Sequence, residues 1–172
     1  NQRLIPQLFA GWNGLHVAGG DFPAGAGFAL GGSFTTGNRV IVNLVGATST
    51  NGYLRGAASV AMPRVAGAPV DIGVHATAYE FPQEDFFGLG QSSHVDDRTD
   101  YALDGSEVGA DVRWRASRHV EVWGGLADMR PHVREGTDAA YPGTAEVFDP
   151  EALAGFTEQP RYLRGDVSVA FD

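Results

Sequence analysis

Apolar and polar residues alternate along most of this chain, which is typical of β-strands whose two faces meet different surroundings. The clearest segment is 106–116, where the even positions are small or apolar and most odd positions are charged. The other segments with this pattern, some of weaker contrast, are 15–20, 25–35, 39–48, 53–62, 69–81, 119–129 and 162–171. The alternation therefore predicts an all-β protein of about eight strands.

The connections between these segments are of two kinds. Short turns rich in Gly and Asn join several of them, and Asn51-Gly52 is a typical hairpin sequence. Two connections are long, at about 82–103 and 131–160, and they follow the fifth and the seventh segment. Both long loops are therefore expected at the same end of an antiparallel sheet. Short turns at one end and long loops at the other favour an up-and-down transmembrane β-barrel.

Alternation by itself leaves open which face meets water. In a soluble barrel the apolar face points inward and can hold an apolar ligand, whereas in a membrane barrel it meets lipid and the charged face lines the lumen. Aromatic residues near the predicted strand ends favour the membrane barrel, because such barrels carry aromatic girdles at both interfaces. These residues are Tyr53, Tyr79, Phe81, Trp114, Tyr162 and Phe171.

Composition narrows the classes of function. The 172 residues include 24 Gly, 12 basic residues, 21 acidic residues and no Cys, with a formal net charge of −9. An acidic chain lacks the basic patch expected for nucleic-acid binding. The lack of Cys excludes disulfides, thiolate catalysis and Cys-based zinc sites. No apolar run is long enough for a membrane helix, although strands could still cross a bilayer.

Charged residues at the odd positions of two predicted strands are expected to share one face. One interpretation is a polar lumen that conducts or guides a substrate. The other is an internal salt-bridge network that rigidifies the barrel, and the mixture of both signs favours it. The residues are Asp71, His75, Glu107, Asp111, Arg113 and Arg115.

The first long loop carries an acidic cluster made up of Glu84, Asp85, His94, Asp96, Asp97 and Asp100. Carboxylates suit divalent cations, but the spacing of a calcium loop is not present. A solvated acidic loop held by Arg98 is the preferred interpretation, so no metal site is predicted. Neither a nucleophile elbow nor a nucleotide-binding loop is found. The sequence therefore predicts no catalytic residue and no cofactor, and the protein is not expected to be an enzyme.

At this loop the sequence resembles a known family. The runs 79–90 and 96–101 are similar to a strand-to-loop passage of the BamA/TamA-type outer-membrane proteins, the bacterial surface antigen barrels. The runs 148–152 and 158–163 resemble the next long external loop of the same group. The family-like residues of the first loop are Asp85, Phe86, Phe87, Gly88, Leu89, Gly90, Asp97 and Arg98.

The resemblance implies a place in the bacterial outer membrane and a role in membrane protein insertion or translocation. Because family barrels have about sixteen strands, the chain is expected to be the N-terminal half of a barrel, with a lead-in at 1–13 and a partial barrel domain at 14–172. Insertase members hold a weak seam where a client strand can pair. The matching strand here carries Leu15, Val17 and Gly19, unless the glycines around it form only a turn.

The sequence is therefore compatible with three functions. The first is an outer-membrane barrel for protein insertion or translocation. The second is a small structural or passive-pore barrel without insertase activity, and the third is a soluble β-barrel that binds an apolar ligand. The expected partners are outer-membrane lipid, lipopolysaccharide and other outer-membrane or periplasmic proteins, but not nucleic acid.

Overall fold

The computed structural model of the chain describes residues 14–19, 22–153 and 155–171. The predicted lead-in at 1–13 lies outside them. The described residues form one antiparallel sheet of eight strands, whose spatial order follows the chain. The strands are β1 Leu15–Gly19, β2 Ala29–Thr36, β3 Ile41–Ser49, β4 Leu54–Met62, β5 Val70–Phe86, β6 Thr99–Arg115, β7 Val120–Glu135 and β8 Tyr162–Phe171. The predicted all-β fold with about eight antiparallel strands is confirmed.

Helical structure is confined to short pieces in the connections. The single α-helical turn of the described residues is α1, Thr144–Val147. The 3-10 turns are Val65–Gly67, Gly90–Ser92, Val95–Asp97 and Pro150–Ala152. The described part of the chain has no helix that is long and apolar enough to cross a membrane.

The sheet is open at both edges within the described residues. β1 pairs only with β2, and β8 pairs only with β7. Because β8 has a neighbour on one side only, every residue of this strand is exposed. The eight described strands therefore form an open sheet, and their order does not close it into a barrel.

Three strands are longer than alternation indicates. β5, β6 and β7 have 17, 17 and 16 residues, and they continue into the segments expected as loops. A β-bulge between Phe81 and Glu84 interrupts the alternation of β5, because a bulge changes the face on which the following residues lie. Pro131, which suggested the end of β7, lies opposite Gly105 within the ladder. The loops themselves span 87–98 and 136–161.

β2 is shorter at its start than the alternation indicates. Gly25 and Gly27 have φ angles of 97° and 77°, which belong to the left-handed region. A residue in that region turns the chain away from the extended path. β2 therefore begins only at Ala29.

Successive connections lie at alternate ends of the sheet. The turns that join β2 to β3, β4 to β5 and β6 to β7 lie at one end, here called the turn end. The two long loops lie at the other, the loop end, together with the connections β1–β2 and β3–β4. The long loops contact each other, since an Nη1 donor of Arg98 lies 2.7 Å from the Tyr141 hydroxyl oxygen. This agrees with the expectation that both emerge at one end.

Candidate functional site: an exposed apolar face opposite a charged face

The strand register separates two faces, because directly paired residues lie on the same face of a sheet. One continuous cross-strand row consists of Val42, Val60, Val74, Ala110 and Leu126. The face that contains this row is here called the apolar face. The row of Ser59, His75, Gly109 and Ala127 belongs to the opposite face, the polar face.

The apolar face is the more exposed of the two. Val74 is 54% exposed, Val108 is 60% exposed and Leu126 is 55% exposed. In β4 the residues of the apolar face are exposed, whereas Ala57, Ser59 and Ala61 on the polar face are half-buried. A soluble sheet normally covers its apolar face and leaves its polar face in water. The distribution here is the reverse.

The central part of the apolar face carries no charged side chain among the described residues. In β5 and β6 this apolar belt extends over 70–78 and 106–114, and in β7 and β8 over 120–126 and 163–171. Charged residues of this face follow directly at the loop end. This charged band consists of Glu80, Asp104, Asp128, Arg130, His132, Arg134 and Arg161.

All six predicted lumen residues lie on the polar face, where acidic side chains contact Arg or His. Arg115 binds Asp71, and Arg113 Nη2 lies 2.8 Å from Glu121 Oε1. His75 lies 3.2 Å from Glu107 and 3.5 Å from Asp111. The sequence interpretation left out two members of this network, and alternation in their own strands could have indicated both. They are Glu121, and Arg164, whose Nη2 lies 2.9 Å from Glu107.

Glycines on the polar face make room for these side chains. A Cβ added at Gly109 would lie 2.6 Å from His75 Nε2 and 2.9 Å from the Cβ of Ala127. At Gly73 it would lie 2.8 Å from the Asp111 carboxylate. These distances are too short for a real contact, so an added Cβ would shift His75 and the Asp111 carboxylate from their places in the charged network.

Gly109→Ala is therefore expected to destabilise the folded sheet by about 1–3 kcal/mol, the range for overpacking a filled site. The added methyl group displaces His75 from Glu107. The matched control is Gly46→Ala on the apolar face, where an added Cβ meets nothing within 4 Å. The control is expected to leave stability unchanged or raise it by about 0.5–1 kcal/mol. Denaturant titration gives both free energies of unfolding, and equal losses would contradict the packing argument.

The predicted seam residues lie on the first open edge. Leu15, Val17 and Gly19 are on the apolar face, and Leu15 and Val17 are 50% and 40% exposed. These residues belong to a paired strand, whereas Gly14, directly before it, has a φ of 84° and lies in a turn. β1 has only five residues. Its free edge offers unpaired backbone groups that another strand can use.

The family-like loop residues lie at the loop end. Arg98 forms an ion pair with Asp85 at 2.8 Å and stacks on the Tyr141 ring at 3.8 Å. Phe86 packs edge-on against Phe148, with ring centroids 5.2 Å apart. The others are Phe87 and Gly88, which are half-buried, and Leu89, Gly90 and Asp97, which are exposed.

The buried polar residues hold the second long loop to the start of β6. The Thr99 and Thr144 hydroxyls are 3.0 Å apart, and Thr144 donates to the Asp100 carbonyl at 3.0 Å. The Asp100 carboxylate accepts a hydrogen bond from the Asp138 amide at 2.7 Å. We call Thr99, Asp100, Asp138 and Thr144 the loop lock. No sequence motif marks it, since its members lie about 45 residues apart.

The acidic cluster is divided between two environments. Glu84 and Asp100 are in the strands, and desolvation by burial raises the pKa of each carboxyl group. His94, Asp96 and Asp97 lie exposed in the loop. Within the part of the chain that the structure describes, no three His, Asp or Glu residues are placed to hold a metal ion.

Three of the six aromatics expected in girdles have a different role. Tyr53, Tyr79 and Phe81 pack together with Phe22, and the Tyr53 and Phe81 centroids are 5.5 Å apart. Tyr53 is fully buried, and its hydroxyl donates to the Gln83 carbonyl. Ring packing against neighbouring strands and connections therefore replaces the expected exposure. Trp114, Tyr162 and Phe171 are exposed.

Comparison with known proteins gives no match for this chain among family models, curated proteins or solved structures.

Proposed function

We propose that this chain forms part of the wall of an outer-membrane β-barrel, with the apolar belt against lipid and the polar face toward a lumen. The observation that carries the proposal is the exposure of the belt beside a half-buried, ion-paired charged face. Apolar surface in water costs about 25 cal/mol per Å², and a lipid environment removes that cost. The soluble ligand-binding alternative needs a covered apolar face, and the exposures do not support it.

The length of the belt fits a bilayer. In β5 and β6 it covers the residues from Val70 to Ala78 and from Ser106 to Trp114. Tilted strands of about 9–11 residues cross the hydrocarbon region, and these segments are of that order. The charged band then lies at one interface, where polar side chains reach the headgroups.

The open edges support a larger barrel. In lipid each backbone N–H and C=O group must be paired, so a membrane sheet has to close. β1 and β8 each have a free edge within the described residues. We therefore propose that further strands, from the same polypeptide or another, complete the barrel. A barrel of about sixteen strands, as the resemblance implies, is consistent with this proposal.

Within such a barrel, we propose a role in membrane protein insertion or translocation. Two features support it: the resemblance to the BamA/TamA-type proteins and the short β1 strand with one free edge. A client strand can add to an edge of this kind through main-chain hydrogen bonds. The second candidate is a structural or passive-pore barrel. It is favoured by the contacts between acidic and basic side chains across β5, β6 and β8.

Reconstitution into vesicles tests both roles. Protein extracted from membranes is expected to float with vesicles in a density gradient and to speed the folding of a client outer-membrane barrel added unfolded. Flotation without faster folding would favour the structural barrel. Protein that stays out of the vesicles would overturn the membrane assignment itself. Vesicles that carry an unrelated porin serve as the control for unspecific bilayer defects.

A further inference from the structure

The charged band contains one place where cations outnumber anions. Arg130 and Arg161 both bind Asp128, with Nη2 of Arg130 at 2.8 Å and Nε of Arg161 at 2.6 Å from its oxygens. Their side chains are 60% and 67% exposed, whereas that of Asp128 is 27% exposed. One carboxylate thus holds two guanidinium groups, so these three side chains together carry a formal charge of +1.

This arginine pair, Arg130 and Arg161, lies at the border of the apolar belt. Asp128 is directly opposite Leu163, which is 72% exposed, and it follows Leu126 by one step along the same face of β7. Under the proposed function this border is the level at which acyl chains end and headgroups begin. Arginine at that level attracts anionic headgroups.

A groove of about 1020 Å³ lies beside the arginine pair, and most of its lining residues belong to the apolar face. The lining includes the cross-strand row of Gly32, Gly46, Gly56 and Ala78. Arg130 and Arg134 also line it, together with Glu80 and Asp104, whose carboxylates pair with Arg134. A row of residues with little or no side chain leaves a trough between longer neighbours, and this trough has the apolar lining that an acyl chain needs.

We propose that the arginine pair and this groove bind one membrane lipid with a phosphorylated headgroup. The phosphate accepts hydrogen bonds from Arg130 and Arg161, and an acyl chain lies along the small-residue row. The planar guanidinium group matches a phosphate through two parallel hydrogen bonds, and the surplus positive charge complements the anion. The inference rests on the proposed function, because a lipid reaches this groove only if the belt faces the bilayer.

Spin-labelled lipids test the proposal in reconstituted protein. The measurement is the fraction of motionally restricted phosphatidic acid compared with phosphatidylcholine, in phosphatidylcholine vesicles. The intact protein is expected to favour phosphatidic acid about fivefold, which corresponds to about 1 kcal/mol for a basic residue at an anionic surface. The double variant Arg130→Gln, Arg161→Gln is expected to bring this ratio close to one. Arg39→Gln, an exposed arginine at the turn end, is the matched control and keeps the preference.

The outcomes separate the lipid site from the membrane assignment. Restricted lipid without any preference in the intact protein would overturn the site and leave the membrane assignment in place. The absence of restricted lipid would overturn both. A preference that survives the double variant would overturn the assignment to this arginine pair. Inorganic phosphate that competes as strongly as phosphatidic acid, at constant ionic strength, would show that the groove adds nothing to binding, which overturns the lipid as the ligand of the pair.

Discussion

Val74→Arg is expected to destabilise the protein folded in a membrane by about 2–4 kcal/mol, the cost of an arginine near the bilayer midplane on the lipid face of a barrel. Val74 lies in the central row of the apolar belt and is 54% exposed. Its neighbours in that row, Val60 and Ala110, offer no charged partner. Denaturant titration of folding in lipid vesicles gives the loss directly.

Val45→Arg is the matched control for this prediction. Val45 is also a strand valine, 38% exposed, but it lies on the polar face, opposite Ser33 and Ala57. A lumen supplies water to a new arginine there, so a loss below about 1 kcal/mol is expected. A soluble barrel with its apolar face inside would reverse the order of the two variants. Equal losses from both would contradict the assignment of the faces.

Asp100→Ala is expected to release the 136–161 loop from the sheet at a cost of about 1–3 kcal/mol, because it leaves the half-buried Asp138 amide without its acceptor. Asp100 is 3% exposed, and its carboxylate binds the Asp138 amide. The loop contains Glu146, Glu151 and Glu158, so a glutamate-specific protease reports its release. Faster cleavage at these residues, with the strands still resistant, is the expected result.

Asp97→Ala is the control that separates the loop lock from the charge of the loop. This variant also removes one aspartate carboxylate, three residues before Asp100. Asp97, however, is exposed and lies in the 3-10 turn Val95–Asp97. Its cleavage rate is expected to match that of the unchanged protein. If both variants were cleaved equally fast, general loop charge rather than the Asp100 contact would hold the loop.

The eight strands could be predicted from sequence because alternation is a local property. Within 106–116 the pleat of the strand alone decides on which face of the sheet each side chain lies. β6 includes this segment as far as Arg115. The residues by which β5, β6 and β7 exceed the predicted strands could not be predicted in the same way. The bulge after Phe81 and the proline at 131 break the local pattern, and pairing with neighbouring strands carries the ladder past both.

The polar face was predictable in part for the same reason. Asp71, His75 and Asp111 were assigned to one face from parity in their own strands, and the structure brings them together. The contact between Glu107 and Arg164 joins residues 57 positions apart, with β7 between their strands. Pairing of this kind depends on the order of strands in space, which alternation does not contain.

The sequence by itself determined that the chain has two chemically different faces and long loops at one end. Only the tertiary structure decided that the apolar face is the exposed one, that β1 and β8 have free edges, and that Asp100 and Thr144 hold the 136–161 loop to β6. The physical reason is that the pleat fixes the side of each residue within its own strand. Exposure, edge pairing and loop contacts depend on neighbours that distant parts of the chain provide.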